Sequence, residues 1–180
     1  MKRAELKKVV KKITTKYGKA RIYLDLDGTA AKWRTDQELK ELYPDKTVDE
    51  ILHMEDYFLK LPEAPYLQKL KEVKAAYPET EVIVLSNYLT DSNAVEQKIR
   101  WCEDHIPYAD EQIYVPYGQD KAAAALRHAR LNKFPENVII LDDHTKNCRD
   151  ALGRSLGLVI KVLNGVNGTS GKWKGLFDYA

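Results

Sequence analysis

Four short stretches carry the residues able to do chemistry: DLDGT at residues 25–29, SN at Ser86 and Asn87, the single Lys121, and DD at Asp142 and Asp143. Only Leu26 separates Asp25 from Asp27, and in an extended segment residues two apart point the same way. Two carboxylates about 4 Å apart repel by roughly 4 kcal/mol at a surface-like dielectric. Any one aspartate pair is an ordinary helix cap or turn. Four carboxylates with one lysine and a hydroxyl are a different matter. Lys121 offsets part of the charge, and a divalent cation would offset the rest. With oxygen ligands and no histidine or thiol, that cation is expected to be Mg²⁺. The remaining groups suit a phosphoryl group. A carboxylate can attack phosphorus. A lysine and a hydroxyl can hold the equatorial oxygens. A second carboxylate can protonate the leaving oxygen and later take a proton from water. The turn at Gly28 and Thr29 would aim backbone amides at the phosphate.

These residues need elements that bring them together. Five apolar runs read as strands: 21–25, 81–86, 112–115, 137–142 and 158–163. Helical patterns at about 91–105, 121–131 and 145–152 alternate with the later ones. Nearly continuous apolar strands between helices argue for a parallel sheet covered on both faces. Right-handed crossovers then gather every strand's C-terminal end on one edge, where ligands bind. The stretch from residue 31 to 80 exceeds one crossover. It holds helical patterns at 36–43, 48–54 and 64–76, and residues 31 to about 61 read as a small helical cap over the strand ends. Trp33, Tyr57 and Phe58 are its candidates for stacking on a substrate.

Residues 1–18 form a separate feature, an amphipathic helix ended by Gly18. Leu6, Val9, Val10, Ile13 and Tyr17 make its apolar stripe, and Lys7, Lys8, Lys11, Lys12 and Lys16 its basic face. A solvated face on a docked helix is favoured over a nucleic-acid arm. The 180 residues suit one domain, residues 19–180 with the cap included. Hydrophobic residues at 44%, charged residues at 31% and a net charge of +2 exclude a disordered chain and give no support for nucleic-acid binding. No run is long enough to span a membrane, and no apolar signal core follows the basic N-terminus. Cys102 and Cys148 have no metal-site or disulfide spacing, which fits a reducing cytoplasm. The tail from Asn164 to Gly175 fails the phosphate-loop spacing, and Asn167-Gly168-Thr169 is a glycosylation sequon by pattern only.

The ordered set DLDGT, VLSN, lysine and ILDD resembles the four motifs of the haloacid dehalogenase superfamily of phosphatases, over residues 21–163. That resemblance implies a Rossmann-like three-layer α/β sandwich with a central parallel sheet and a cap inserted after the first strand. It implies Asp25 as a nucleophile that forms an aspartyl-phosphate, and Asp27 as general acid and base. Ser86 and Lys121 would be phosphate ligands. Mg²⁺ would sit on the Asp25 carboxylate, the Asp27 backbone carbonyl, and Asp142, Asp143 or both. The segments YFLKLPEAPYLQKLKEV and EQKIRWCEDHI look like the 5′(3′)-deoxyribonucleotidase branch, which implies a nucleoside monophosphate substrate and a phosphate-side role for Lys98. Ser86-Asn87 and Gln119 depart from that branch's Thr-Ser pair and arginine. The alternatives are a phosphatase for another small ester such as a sugar phosphate, a phospho-accepting signalling domain, and a nucleic-acid module acting through the N-terminal helix. The oligomeric state stays open, a homodimer included.

Overall fold

A computed structural model describes residues 2–90, 92–134, 136–166 and 173–180. All five expected strands are present: β2 (Arg21–Leu24), β3 (Glu81–Tyr88), β4 (Glu111–Pro116), β5 (Val138–Asp142) and β6 (Leu158–Leu163). Two short strands join them. β1 (Lys2–Arg3) and β7 (Leu176–Tyr179) extend the sheet to the order β1-β7-β6-β5-β2-β3-β4, with every pair parallel. The N-terminal helix therefore starts later than its sequence pattern suggested. Residues 2 and 3 pair with Leu176 and Phe177, and α1 runs Leu6–Tyr17.

Alternation along the strands builds two cores. Ile22, Leu24, Val82, Val84, Ile139 and Leu141 face one side, against α1, α4 (Pro65–Ala76) and α5 (Ala94–His105). Tyr23, Ile83, Leu85, Val138 and Ile140 face the other, against α6 (Lys121–Leu131) and α7 (Thr145–Gly153). Period-two side chains that are apolar on both faces demand helices on both faces, hence three layers. Ala122, Ala125 and Ala129 form the buried stripe of α6 and let it lie close to the sheet. Leu6, Val10 and Ile13 bury the stripe of α1, while its five lysines stay exposed.

A small helical insertion follows β2. Its two ends pair at the base, where Ala64 N–H donates to Ala30 O at 2.7 Å and Lys32 N–H to Pro62 O at 2.8 Å. It contains α2 (Asp36–Leu42), α3 (Val48–Leu52) and a 3-10 turn at Phe58–Lys60. Capping boxes at Thr35 with Glu38 and Thr47 with Glu50 satisfy the first amides of α2 and α3, short helices that would otherwise fray. α5 anchors the insertion to the body. Gln97 accepts from Phe58 N–H at 2.8 Å and donates to Met54 O at 2.9 Å, and the Trp101 indole donates to Leu61 O at 2.8 Å.

Candidate active site

The sheet brings all four motifs to its C-terminal edge. Asp25 follows the last residue of β2, Ser86 and Asn87 lie within β3, Asp142 ends β5, and Lys121 opens α6. Because β2 pairs with both β3 and β5, the three aspartates and Ser86 come from adjacent strands. Asp25, Asp142 and Asp143 are buried, each with a carboxylate oxygen within 4.8 Å of the others. The Lys121 ammonium bridges two of them, bonding Asp25 Oδ1 and, at 2.8 Å, Asp142 Oδ2. Thr29 donates to Asp25 Oδ2 at 3.3 Å. Asp142 is held on all sides. It accepts from Lys121, from the His144 amide at 2.8 Å and from Asn147 at 3.0 Å.

A second lysine serves Asp27. Lys98 reaches from α5 to Asp27 Oδ2 at 2.5 Å, to Ser86 Oγ at 2.9 Å and to the Asn87 carbonyl at 2.6 Å. The other oxygen, Asp27 Oδ1, is buried and has no hydrogen-bond partner. Asp27 lines the cleft with one carboxylate oxygen tethered by Lys98 and the other buried.

The turn after Asp25 departs from expectation in one respect. The Gly28 N–H donates to Ala31 O and the Thr29 N–H to Leu26 O, so neither is aimed at a phosphate. Five residues closing a tight loop use those amides internally. The Leu26 and Asp27 N–H groups, two positions earlier, make no such bond within the turn. Gly28 itself is required, with φ at +82° and a Cβ position that would fall 2.2 Å from Asp143 Oδ2. The Asn87 side chain likewise turns away, donating to Val115 O at 3.2 Å.

The electrostatics fit a divalent cation. Burial, then the Asp142 carboxylate, push the Asp25 carboxyl well above the usual range, with Lys121 pulling it down. Burial would lower Lys121, yet Asp142 and Asp25 together hold it above its ordinary value, as an ammonium. A site that raises a carboxyl in this way favours added positive charge. The donor set is three carboxylates with no thiol or imidazole, which suits Mg²⁺. Lys161, fully buried on β6 in register with Asp142, adds a cation that the sequence did not single out; it bonds Thr145 Oγ1. Lys121 and Lys98 pair with Asp25, Asp142 and Asp27, and a divalent cation beside Asp25 and Asp143 would add the positive charge that attracts a phosphate dianion.

A cleft of about 680 Å³ opens above these groups, between the insertion and the sheet edge. Asp25, Asp27, Lys98 and Asp143 line its floor, and Trp33, Tyr57 and Phe58 line the insertion side. Tyr57 and Phe58 are only 4% exposed. Phe58 packs edge-on against Trp101, ring centroids 5.8 Å apart, beneath the Lys98 ammonium. Sequence reasoning missed the opposite wall, where Tyr88 ends β3, Tyr117 follows β4 and Tyr117 is 76% exposed. The signal was present as a tyrosine just after each apolar run. Asn164, which bonds both Asp143 and Gly28, was also missed.

No protein-family profile and no curated protein sequence matches the chain. Solved structures do. A haloacid dehalogenase-like family hydrolase from Streptococcus pneumoniae superposes with a TM-score of 0.57 at 12% identity, over 88% of this chain and 93% of that one. A provisionally assigned beta-phosphoglucomutase from Thermotoga maritima gives 0.60 at 13% identity, over 89% and 94%. A haloacid dehalogenase hydrolase of family IA, variant 3, from Entamoeba histolytica gives 0.52 at 12% identity, over 89% and 92%. At such low identity the likeness concerns architecture, and it agrees with the parallel sheet and the insertion after β2: the chain has the haloacid dehalogenase-like fold.

Proposed function

We propose that this protein is a Mg²⁺-dependent phosphomonoesterase that hydrolyses nucleoside monophosphates through a phosphate ester of Asp25. The observation that carries the reading is the pair of lysine-tethered carboxylates at one cleft floor. Lys121 holds Asp25 and Lys98 holds Asp27, so two acidic groups of one strand end have separate partners and separate tasks.

Mg²⁺ would be held by the Asp25 and Asp143 carboxylates and the Asp27 carbonyl, and when bound it supplies charge neutralisation at the phosphoryl oxygens. Asp142 is the weaker candidate for a direct ligand, because Lys121, the His144 amide and Asn147 already occupy its oxygens. The Ser86 hydroxyl, Lys98 and Lys121 face the place where equatorial oxygens gain charge. Asp25 attacks phosphorus and the bond to the leaving oxygen breaks. Asp27 gives that oxygen a proton. Asp27 then takes a proton from the water that cleaves the aspartyl-phosphate, which regenerates both carboxyl groups.

The cleft supports an uncharged, aromatic leaving group. Among the described residues its lysines and arginines beyond the floor reduce to Lys146, which is paired with Asp150 at 2.7 Å. Trp33 on the insertion and Tyr88 and Tyr117 on the sheet edge offer flat faces, and Gln119 offers amide hydrogen bonds. The test is a phosphate-release screen over nucleoside monophosphates and sugar phosphates, with and without Mg²⁺, using Asp25→Asn as control. Preference for nucleotides supports the reading. A preference for sugar phosphates would keep the phosphatase and discard the nucleotide, and release unaffected by Asp25→Asn would discard both.

A further inference from the structure

Asn164 lies one residue beyond β6, two strands away from the turn that carries Asp25 and Asp27. Its Nδ2 donates to Asp143 Oδ2 at 2.6 Å and to the Gly28 carbonyl at 2.7 Å. Its Oδ1 accepts the Val166 N–H at 2.9 Å. That last bond is an Asx turn, and it decides which end of the amide faces the site. Rotated the other way, the amide oxygen would meet a carbonyl and a carboxylate, two acceptors. The three groups are also packed tightly. A Cβ on Gly28 would lie 2.2 Å from Asp143 Oδ2 and 2.8 Å from Asn164 Nδ2.

We infer that Asn164 is a positioning residue that locks the Asp143 carboxylate against the Gly28 turn, so that the metal ligands from β2 and β5 keep one geometry. This rests on the reading of Asp143 as a Mg²⁺ ligand. A neutral donor is suited to the task. It restrains the carboxylate through one oxygen and leaves its charge intact, where a lysine would cancel the charge and compete with the cation. The bond to the Gly28 carbonyl couples that restraint to the loop bearing both Asp25 and Asp27. Small movements of β5 relative to β2 would otherwise alter the spacing of the ligands. Partners of this kind are worth about 10- to 100-fold in metal affinity.

The test follows the thermal midpoint of the full chain as Mg²⁺ is titrated without substrate, which gives affinity independently of turnover. Wild type is compared with Asp143→Asn, Asn164→Ala and the isosteric Asn164→Leu, the last kept in case the smaller side chain unfolds the loop. Both Asn164 variants are expected to bind Mg²⁺ about 10- to 100-fold more weakly. In turnover assays on a small phosphate ester their half-saturating Mg²⁺ should rise, while KM for the ester at saturating Mg²⁺ stays within about twofold. Unchanged Mg²⁺ affinity in both variants, with Asp143→Asn impaired, would overturn the positioning role alone, however far their midpoints fall. Unchanged affinity in Asp143→Asn would instead remove Asp143 as a ligand, and this inference with it.

Discussion

Replacing Gly28 with alanine should damage catalysis through Asp143, a residue more than a hundred positions away in the chain. Two costs follow from the structure. The first is conformational: φ is +82°, and an L side chain there costs roughly 1–2 kcal/mol. For a chain of this size that lowers the melting midpoint by roughly 2–8 °C. The second is steric. The added Cβ would fall 2.2 Å from Asp143 Oδ2 and 2.9 Å from its Cγ. The carboxylate must withdraw by roughly an ångström or more to reach ordinary contact, and a displacement of that size can cost about 10²-fold in rate. Gly18 provides the control. It has the same φ of +82°, yet nothing lies within 4 Å of its Cβ position. Gly18→Ala should therefore lose similar stability with unchanged kcat/KM, whereas Gly28→Ala should lose both. The assay is Mg²⁺-dependent hydrolysis of p-nitrophenyl phosphate beside a thermal melt. If Gly28→Ala kept kcat/KM within about twofold of wild type, the close approach of turn and carboxylate would have no part in the reaction.

Asp27→Asn should keep Mg²⁺ binding, because the proposed ligand is its backbone carbonyl, but lose roughly 10²-fold or more in rate with a poor leaving group; an unchanged rate would remove Asp27 from proton transfer. Chelation should abolish turnover, and Ca²⁺ should bind but support little of it, since its larger and looser coordination misaligns the attack. Full activity after chelation would exclude the metal. Trp33→Leu and Tyr117→Leu should each cost a nucleotide roughly 1–3 kcal/mol in kcat/KM and spare a small aliphatic ester. Phe58→Leu should impair both substrates, because its ring packs on Trp101 under Lys98; kcat/KM values for the two esters separate these outcomes. Burial pushes the Cys102 thiol up to about 11 and Cys148 higher still, so little thiolate exists at pH 8. Neither should be alkylated in the native protein, and mass spectrometry after iodoacetamide treatment would reveal an error.

Much of this arrangement was legible in the sequence, for reasons that differ by element. β2, β3, β5 and β6 are buried on both faces, so their apolar runs are continuous and stand out. β1 and β7 do not. Lys2 and Arg3 are exposed and only two residues long, and β7 contains the buried, polar Asp178, so neither has an apolar signature. That Asp25, Asp27, Ser86, Lys121, Asp142 and Asp143 would gather at one sheet edge was legible because each occupies a fixed place relative to a strand end. Asn164 and Lys161 belong to the site through the neighbouring order β6-β5-β2, which no local spacing encodes. Which amides the first turn leaves open is not encoded locally, because the hydrogen bonds that close the loop at Gly28 and Thr29 depend on Ala31 and Leu26 meeting. The asparagine sequon at 167–169 lies outside the described residues.

The central claim is that Asp25 carries the phosphoryl group. The direct measurement is rapid acid quench of the enzyme, wild type and Asp27→Asn, turning over a radiolabelled nucleoside monophosphate with Mg²⁺, followed by peptide mapping of the trapped label. The account predicts an acid-stable, alkali-labile phosphate on the peptide containing Asp25, enriched in Asp27→Asn where the hydrolytic step is slowed more than the attack, and absent from Asp25→Asn. Label on the Ser86 peptide, or full turnover by Asp25→Asn, would contradict it.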